Sequence, residues 1–267
     1  MEALAASVQA ARDAEAVAGQ AEALRHLERA LGLWERVPDA EELVGLERVA
    51  VLAWAAELAF RSGDAAGAAA RVRRAIGLLD VDMEPLRVAL LYERLGSYLF
   101  PAGDREGGLA AFRRAADLVP GEPPSAERAR VLAALGHGLM LLLRHAESRA
   151  VCEEAIAVAQ AAGDDRPAIR ARTVLGIDRC HLGHPLEAVR LLLDARRRAR
   201  DRGSATDLLR CYVGLSDVLI AFGLTGLVAA MVHRFVIEQP PTWLTNEALE
   251  TGLKEIGRSF RRERKGA

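Results

Sequence analysis

Lysine is nearly missing from this 267-residue chain: Lys254 and Lys265 are the only two, against 34 arginines. Such a skew is typical of a GC-rich genome and carries no functional signal. Cysteine is scarce as well. Cys152, Cys180 and Cys211 are odd in number and far apart, which suits reduced thiols in the cytoplasm better than a disulfide framework. Charge of one sign is not in excess, since 36 basic residues face 37 acidic ones, so no global field gathers nucleic acid or an anionic membrane. The longest uncharged run, Val218 to Val232, is too short to span a bilayer and is broken by Gly223 and Gly226. Glu2, Arg12, Asp13 and Glu15 interrupt the N-terminal twenty residues, which therefore lack a signal-peptide core. These absences predict a soluble, cytoplasmic protein with no membrane partner.

What is abundant is alanine, with 51 residues, in a chain that is 51% hydrophobic but only 4% aromatic. Alanine has the highest helix propensity and lets helices approach closely, so packed helices are favoured over sheets. The length is sufficient for a large core without disulfides or metal, arranged as one elongated array or two compact domains. Self-comparison reveals a forty-residue period: Leu95-Gly96, Leu135-Gly136, Leu175-Gly176 and Leu215-Ser216 form one column. Gly63, Gly103, Gly183 and Gly223 form a second, with Leu143 where the third glycine would fall. A third is Ala75, Ala115, Ala155 and Ala195, and Ala30 extends it backwards by forty-five residues, the extra ones fitting between Pro38 and Glu42.

Apolar residues before each turn glycine, such as Leu91, Leu95, Leu99 and Leu132, Leu135, Leu139, recur at helical spacing. Segments after it, such as Leu109, Phe112, Ala115, Ala116 and Ala188, Leu191, Leu192, Ala195, predict a second amphipathic helix. Each repeat is thus a helical hairpin. Pro101 and Pro185 fall at turns within hairpins, and Pro38, Pro85, Pro120, Pro123, Pro124 and Pro167 between them. Gly96, Gly136, Gly176 and Ser216 leave room for the facing helix at Gly108, Ser148, Ala188 and Val228, the bulkiest pair predicting the most splayed hairpin last. A lone hairpin cannot bury its apolar faces, so stacked neighbours create the core.

The pattern Leu95-Gly96, Gly103-Asp104, Phe112, Ala115 and Pro120 resembles the tetratricopeptide consensus, with a period six residues longer than the usual thirty-four. Residues 22–40 (EALRHLERALGLWERVPDA) and 124–136 (PSAERARVLAALG) resemble the long-period repeat region of actinobacterial LuxR-type large ATP-binding transcription regulators. That resemblance spans roughly residues 1–222 and implies a region that senses an inducer or a partner protein, between an ATPase and a helix-turn-helix. Neither flanking module is expected here: Lys254 follows Leu253 and Lys265 follows Arg264, so no P-loop Gly-Lys pair exists.

The resemblance implies an all-α, right-handed superhelical solenoid of about six hairpins over residues 1–238, whose concave groove is lined by first helices. Arg130, Arg170 and Arg210, forty apart, form a ladder there, suited to carboxylates or phosphates through rigid bidentate donors. Phe100, Met140 and Cys180 form a neighbouring column, joined by Glu93, His137 and Asp217. The plainer reading pairs each arginine with a nearby carboxylate such as Glu127 or Asp207. Lysine and asparagine are lacking from the repeats, which disfavours the chaperone-tail clamp known in tetratricopeptide proteins.

Chemistry-bearing motifs are missing: no Gly-x-Ser-x-Gly, His-Glu-x-x-His or Cys-x-x-Cys occurs, and Gly136-His137-Gly138 lacks a third glycine. Cys180, His181 and His184 are separated by a turn and lack a fourth ligand, so no metal or other cofactor is expected. Residues 239–267 are set apart by Pro240-Pro241. Leu249, Leu253, Ile256 and Phe260 recur there at helical spacing and predict a capping helix, followed by a basic tail, Arg258, Arg261, Arg262, Arg264 and Lys265. The reading is a non-enzymatic scaffold that binds a protein, a peptide or a small inducer, without direct nucleic-acid contact. A free-standing adaptor is the alternative, and a second copy of the chain is a further candidate partner.

Overall fold

The structure, a computed structural model, describes residues 2–221. Among these residues there are twelve α-helices, one short 3-10 turn and no strand: α1 (Glu2–Ala16), α2 (Gln20–Leu33), α3 (Ala40–Val44), α4 (Arg48–Arg61), α5 (Ala65–Ile76), α6 (Pro85–Leu99), α7 (Arg105–Leu118), α8 (Ala126–Leu141), α9 (His145–Ala161), α10 (Asp165–His181), α11 (Pro185–Asp201) and α12 (Ala205–Ala221). The expected period appears in the starts of α6, α8, α10 and α12. The extra residues near Pro38 fold into α3 and the 3-10 turn Trp34–Arg36. No described helix is long and apolar enough to cross a membrane. The sixth hairpin's second helix, the segment from Leu249 to Phe260 and the basic tail lie outside the described residues.

The chain divides into two compact units. The first holds residues 1–144 and 154–168, hence α1 to α8, the end of α9 and the first turn of α10. Its core runs through Leu4, Leu27, Leu52, Leu58, Val72 and Leu95, all buried. The second holds residues 145–153 and 169–267, with a core of Val189, Leu192, Tyr212, Leu215 and Val218 and a smaller cluster of Ile169, Ala195, Ala199 and Cys211.

Turns inside the hairpins are built alike. Gly63, Gly103 and Gly183 have φ of 88°, 90° and 87°, a left-handed conformation that glycine adopts without steric cost. Leu143, where the column lacks glycine, keeps the same hand at φ 59°, and so does Ala18 at 60° in the first hairpin. The backbone closes identically, Asp104 N–H to Leu99 carbonyl and Arg144 N–H to Leu139 carbonyl, so the fold overrides the side-chain preference. Asp64 and Asp104 then cap α5 and α7 through the N–H groups of Gly67 and Gly107. Pro167, expected between hairpins, is the third residue of α10, a first-turn site whose missing N–H would have had no intrahelical acceptor.

The small-residue column does what close packing requires. A Cβ on Gly96 would lie 2.6 Å from the Phe112 ring and 3.0 Å from the Gly108 carbonyl oxygen. One on Gly176 would lie 2.7 Å from Leu192 and 3.1 Å from the Ala188 carbonyl oxygen. Hairpin partners therefore meet backbone to side chain, with one bulky residue filling each notch.

Candidate binding surface

The first helices α6, α8, α10 and α12 carry the predicted groove residues, apart from Phe100, which caps the C-terminus of α6, and these are described unit by unit.

In the first unit, Arg130 on α8 donates from Nη2 to Oε2 of Glu93 on α6 at 2.8 Å. The Glu93 side chain is 7% exposed and that of Arg130 is 44% exposed. A buried carboxylate thus holds a guanidinium on a half-exposed side chain. Glu93, rather than the Glu127 suggested by the sequence, is the partner. Nearby on this helix set, Tyr98 donates its hydroxyl to Glu57 at 2.8 Å while its ring lies 4.7 Å from Phe60, and Trp54 donates from Nε1 to Glu15 at 2.7 Å. Burial, reinforced by Glu57, pushes the Tyr98 phenol well above its ordinary pKa. His137 and Met140 are half-buried on α8. Phe100 belongs to the packing as much as to the surface: its ring stacks on Phe112 at 5.8 Å and lies over Gly108.

In the second unit, Arg210 repeats the arrangement within α12, donating from Nη1 to Asp207 at 2.9 Å, with Asp207 also accepting from the Ser204 hydroxyl at 2.7 Å. The Asp207 side chain is 10% exposed and that of Arg210 is 49% exposed. Arg170 is half-buried on α10, and its charge acts on the Cys152 thiol. Asp217 is exposed as a residue, yet protein packed around its carboxyl raises its pKa, partly offset by His181. Cys180 is buried, and burial raises its thiol pKa. The residues of the ladder thus fall in two units, Arg130 in the first and Arg170 and Arg210 in the second.

The second unit also holds a polar cluster that the repeat columns do not reveal. Asp178 on α10 is fully buried and accepts from the Ser148 hydroxyl at 2.5 Å and from His145 Nδ1 at 2.9 Å, both on α9. His145 in turn stacks on His181, centroids 4.4 Å apart and planes 5° from parallel. Burial raises the Asp178 pKa, and the bonds from Ser148 and His145 oppose that rise. The Cys152 thiol beside it is pushed up to about 12, chiefly by burial and next by Asp178. The carboxylate stands between hydroxyl and imidazole, and Ser148 and Asp178 are sealed from solvent, so the trio joins α9 to α10 inside the core. Ser148 and Asp178 are thirty residues apart, a separation that no forty-residue column registers.

No known protein-family profile matches the sequence, and no curated protein is similar to it. Solved structures do share its fold. A tetratricopeptide repeat protein from Parabacteroides merdae matches with a TM-score of 0.57 at 14% identity, over 90% of this chain and 82% of its own. A signal-transduction ATPase with numerous domains from Pyrococcus horikoshii, carrying a tetratricopeptide repeat sensor, matches with a TM-score of 0.63 at 14% identity, over 95% of this chain and 38% of its own. Rap protein, solved in complex with competence and sporulation factor, matches with a TM-score of 0.56 at 15% identity, over 94% of this chain and 74% of its own. The all-α fold of this chain is therefore that of the tetratricopeptide-repeat solenoids.

Proposed function

We propose that this chain is a non-catalytic binding scaffold that takes up a protein or peptide along its first-helix face, as the sensor region of a LuxR-type regulator would. The observation that carries this reading is the construction shared by Arg130 and Arg210: each guanidinium is held by a buried carboxylate, Glu93 or Asp207, and remains close to half exposed. A guanidinium fixed in this way loses little conformational freedom when it meets an anionic group, which suits it to an acidic peptide or an acidic inducer. The Rap structure, complexed with competence and sporulation factor, and the ATPase with a repeat sensor support such a role. Association with transcriptional control, a cytoplasmic location, a small inducer and a second copy as partner belong to the same reading, with no direct nucleic-acid contact.

Selection from a random peptide display library tests it. Wild-type chain should enrich acidic sequences, and the chain with Arg130→Ala, Arg170→Ala and Arg210→Ala should not retain them. Enrichment of nothing, or equal retention by both chains, would overturn the proposal.

A further inference from the structure

Connections between hairpins are longer in the first unit than in the second. Residues 34–47 join α2 to α4 and enclose the inserted α3, and residues 77–84 join α5 to α6, whereas residues 202–204 suffice between α11 and α12. The two long connections are tied into one edge: Arg87 donates to Glu84 at 2.8 Å and also to Glu47, while Arg48 donates from Nη2 to Glu35 at 2.9 Å and from its N–H to Glu41 at 3.1 Å. Residues 35–48 and 77–87 together hold eight carboxylates against three arginines, so these pairings leave the edge strongly negative. Seven of the eight acidic residues, all but Glu84, are exposed. Leu43, Leu78, Met83 and Leu86 emerge from the same segments, 41%, 47%, 79% and 43% exposed. Insertions in repeat arrays collect on faces used for binding, and exposed aliphatic residues in an acidic frame call for a partner that is both basic and apolar.

Helix α11 of the second unit has that chemistry. Leu186, Leu193, Arg197 and Arg200 are seven, four and three residues apart and so share one side of the helix. Leu186 is 42% exposed, Leu193 is half-buried, and the Arg197 and Arg200 side chains are 63% and 62% exposed. Residues 194–202 hold five arginines and two aspartates. Asp194 already serves three guanidiniums, Arg172 at 3.6 Å, Arg197 at 2.5 Å and Arg198 at 2.8 Å, and Asp201 comes only within 3.9 Å of Arg200, so this side stays positive. We propose that α11 of one copy docks on the acidic edge of a second copy, Leu186 and Leu193 meeting its exposed aliphatic residues and Arg197 and Arg200 meeting its carboxylates. This rests on the reading above in which a second copy is a partner, and it names the two surfaces. The contact is heterologous, because an edge of the first unit meets a helix of the second, so copies add head to tail. Exposed ion pairs contribute little affinity by themselves; the aliphatic contact supplies it, and the opposite charges select the partner surface.

Sedimentation of the full-length chain tests it. The average mass of wild type should rise above that of one copy as concentration increases and fall back as salt is added. Glu42→Arg with Asp82→Arg reverses the edge, and Arg197→Glu with Arg200→Glu reverses the helix; all four residues are exposed. Each reversed chain alone, with a circular dichroism spectrum like that of wild type, should associate at least tenfold more weakly. An equimolar mixture of the two should form a one-to-one complex, since the first keeps its helix and the second its edge. The neutral pair Glu42→Gln with Asp82→Asn should weaken association less than the reversal does. A wild-type chain that stays single at every concentration, a reversed chain that associates like wild type, or a mixture that stays single would each overturn the proposal. Any of these would leave peptide capture through Arg130, Arg170 and Arg210 standing, because the display selection reads it separately.

Discussion

In the first unit the notches left by Gly96 and Gly138 are filled by the ring of Phe112, stacked on Phe100; in the second Leu192 fills the notch left by Gly176 and, with Thr173 and Ile177, that left by Gly214. The backbone frame is common and the filling differs. Helix starts are capped in both, Asp64, Asp104 and Ser125 capping α5, α7 and α8 in the first unit and Ser204 accepting from the Asp207 N–H at the start of α12 in the second. The second unit places more polar contacts inside its core, burying Ser148, Arg172, Thr173, Asp178 and Asp207, where the first buries only Ser7 and Glu93 among its described polar residues. Charge follows the same division: the first unit has 18 basic and 24 acidic residues, the second 18 basic and 13 acidic. One repeat rule therefore tolerates two chemistries, provided that each notch is filled.

The strongest way to break that comparison is to empty the notches. Phe112→Ala should cost about 3–5 kcal/mol, because a ring that spans two glycine notches is lost and neither can collapse. Leu192→Ala should cost less, about 2–4 kcal/mol. Urea unfolding followed by circular dichroism would order the two, and equal losses would show that the aromatic filling adds nothing.

Asp178→Ala should cost about 1–3 kcal/mol by leaving the Ser148 hydroxyl and His145 without their shared acceptor. The pH dependence has a definite sign. Burial sets the Asp178 pKa above its unfolded value, so its contribution is fully present below about pH 3.9 and is lost as pH rises through the folded pKa. Asp178→Asn cannot ionise and should lack that slope, so the urea midpoint of wild type should gain on that of the variant as the solution is acidified from neutrality. A constant difference would contradict it.

The smallest effects sharpen the comparison at the turns. Leu143→Gly should stabilise by about 0.5–1 kcal/mol, since a branched side chain leaves the left-handed region, and Gly103→Ala should destabilise by a similar amount. Thermal midpoints that move in the same direction for both would sink the claim that one turn conformation is imposed on both sites.

Much of this was legible in the sequence. The period set the hairpins, because Gly63, Gly103 and Gly183 mark backbone that only a left-handed residue completes, and Leu143 could be placed in that column before its φ was known. Gly96 and Gly176 announced close approach, but not what fills it, since Phe112 and Leu192 occupy one column with different shapes. The partner of Arg130 was not legible: Glu127 is near in sequence, yet Glu93, thirty-seven residues away, is the carboxylate that the stacked helices bring to it. The Asp178 cluster was hidden for the same reason, being made by a separation that the period does not contain. Column logic reads backbone geometry and small residues well, and it is blind to polar pairs found once in the chain.

The most direct test of the central claim compares the two faces of the hairpins with one ligand. A peptide selected on the wild-type chain would be titrated calorimetrically, at low and high salt, into two variants of matched charge. One carries Arg130→Ala, Arg170→Ala and Arg210→Ala on first helices, and the other Arg113→Ala, Arg114→Ala and Arg190→Ala at exposed sites on second helices. The account predicts at least a tenfold loss of affinity and a flatter salt dependence for the first variant, with the second like wild type. Equal affinity for both variants, or a loss confined to the second, would contradict it.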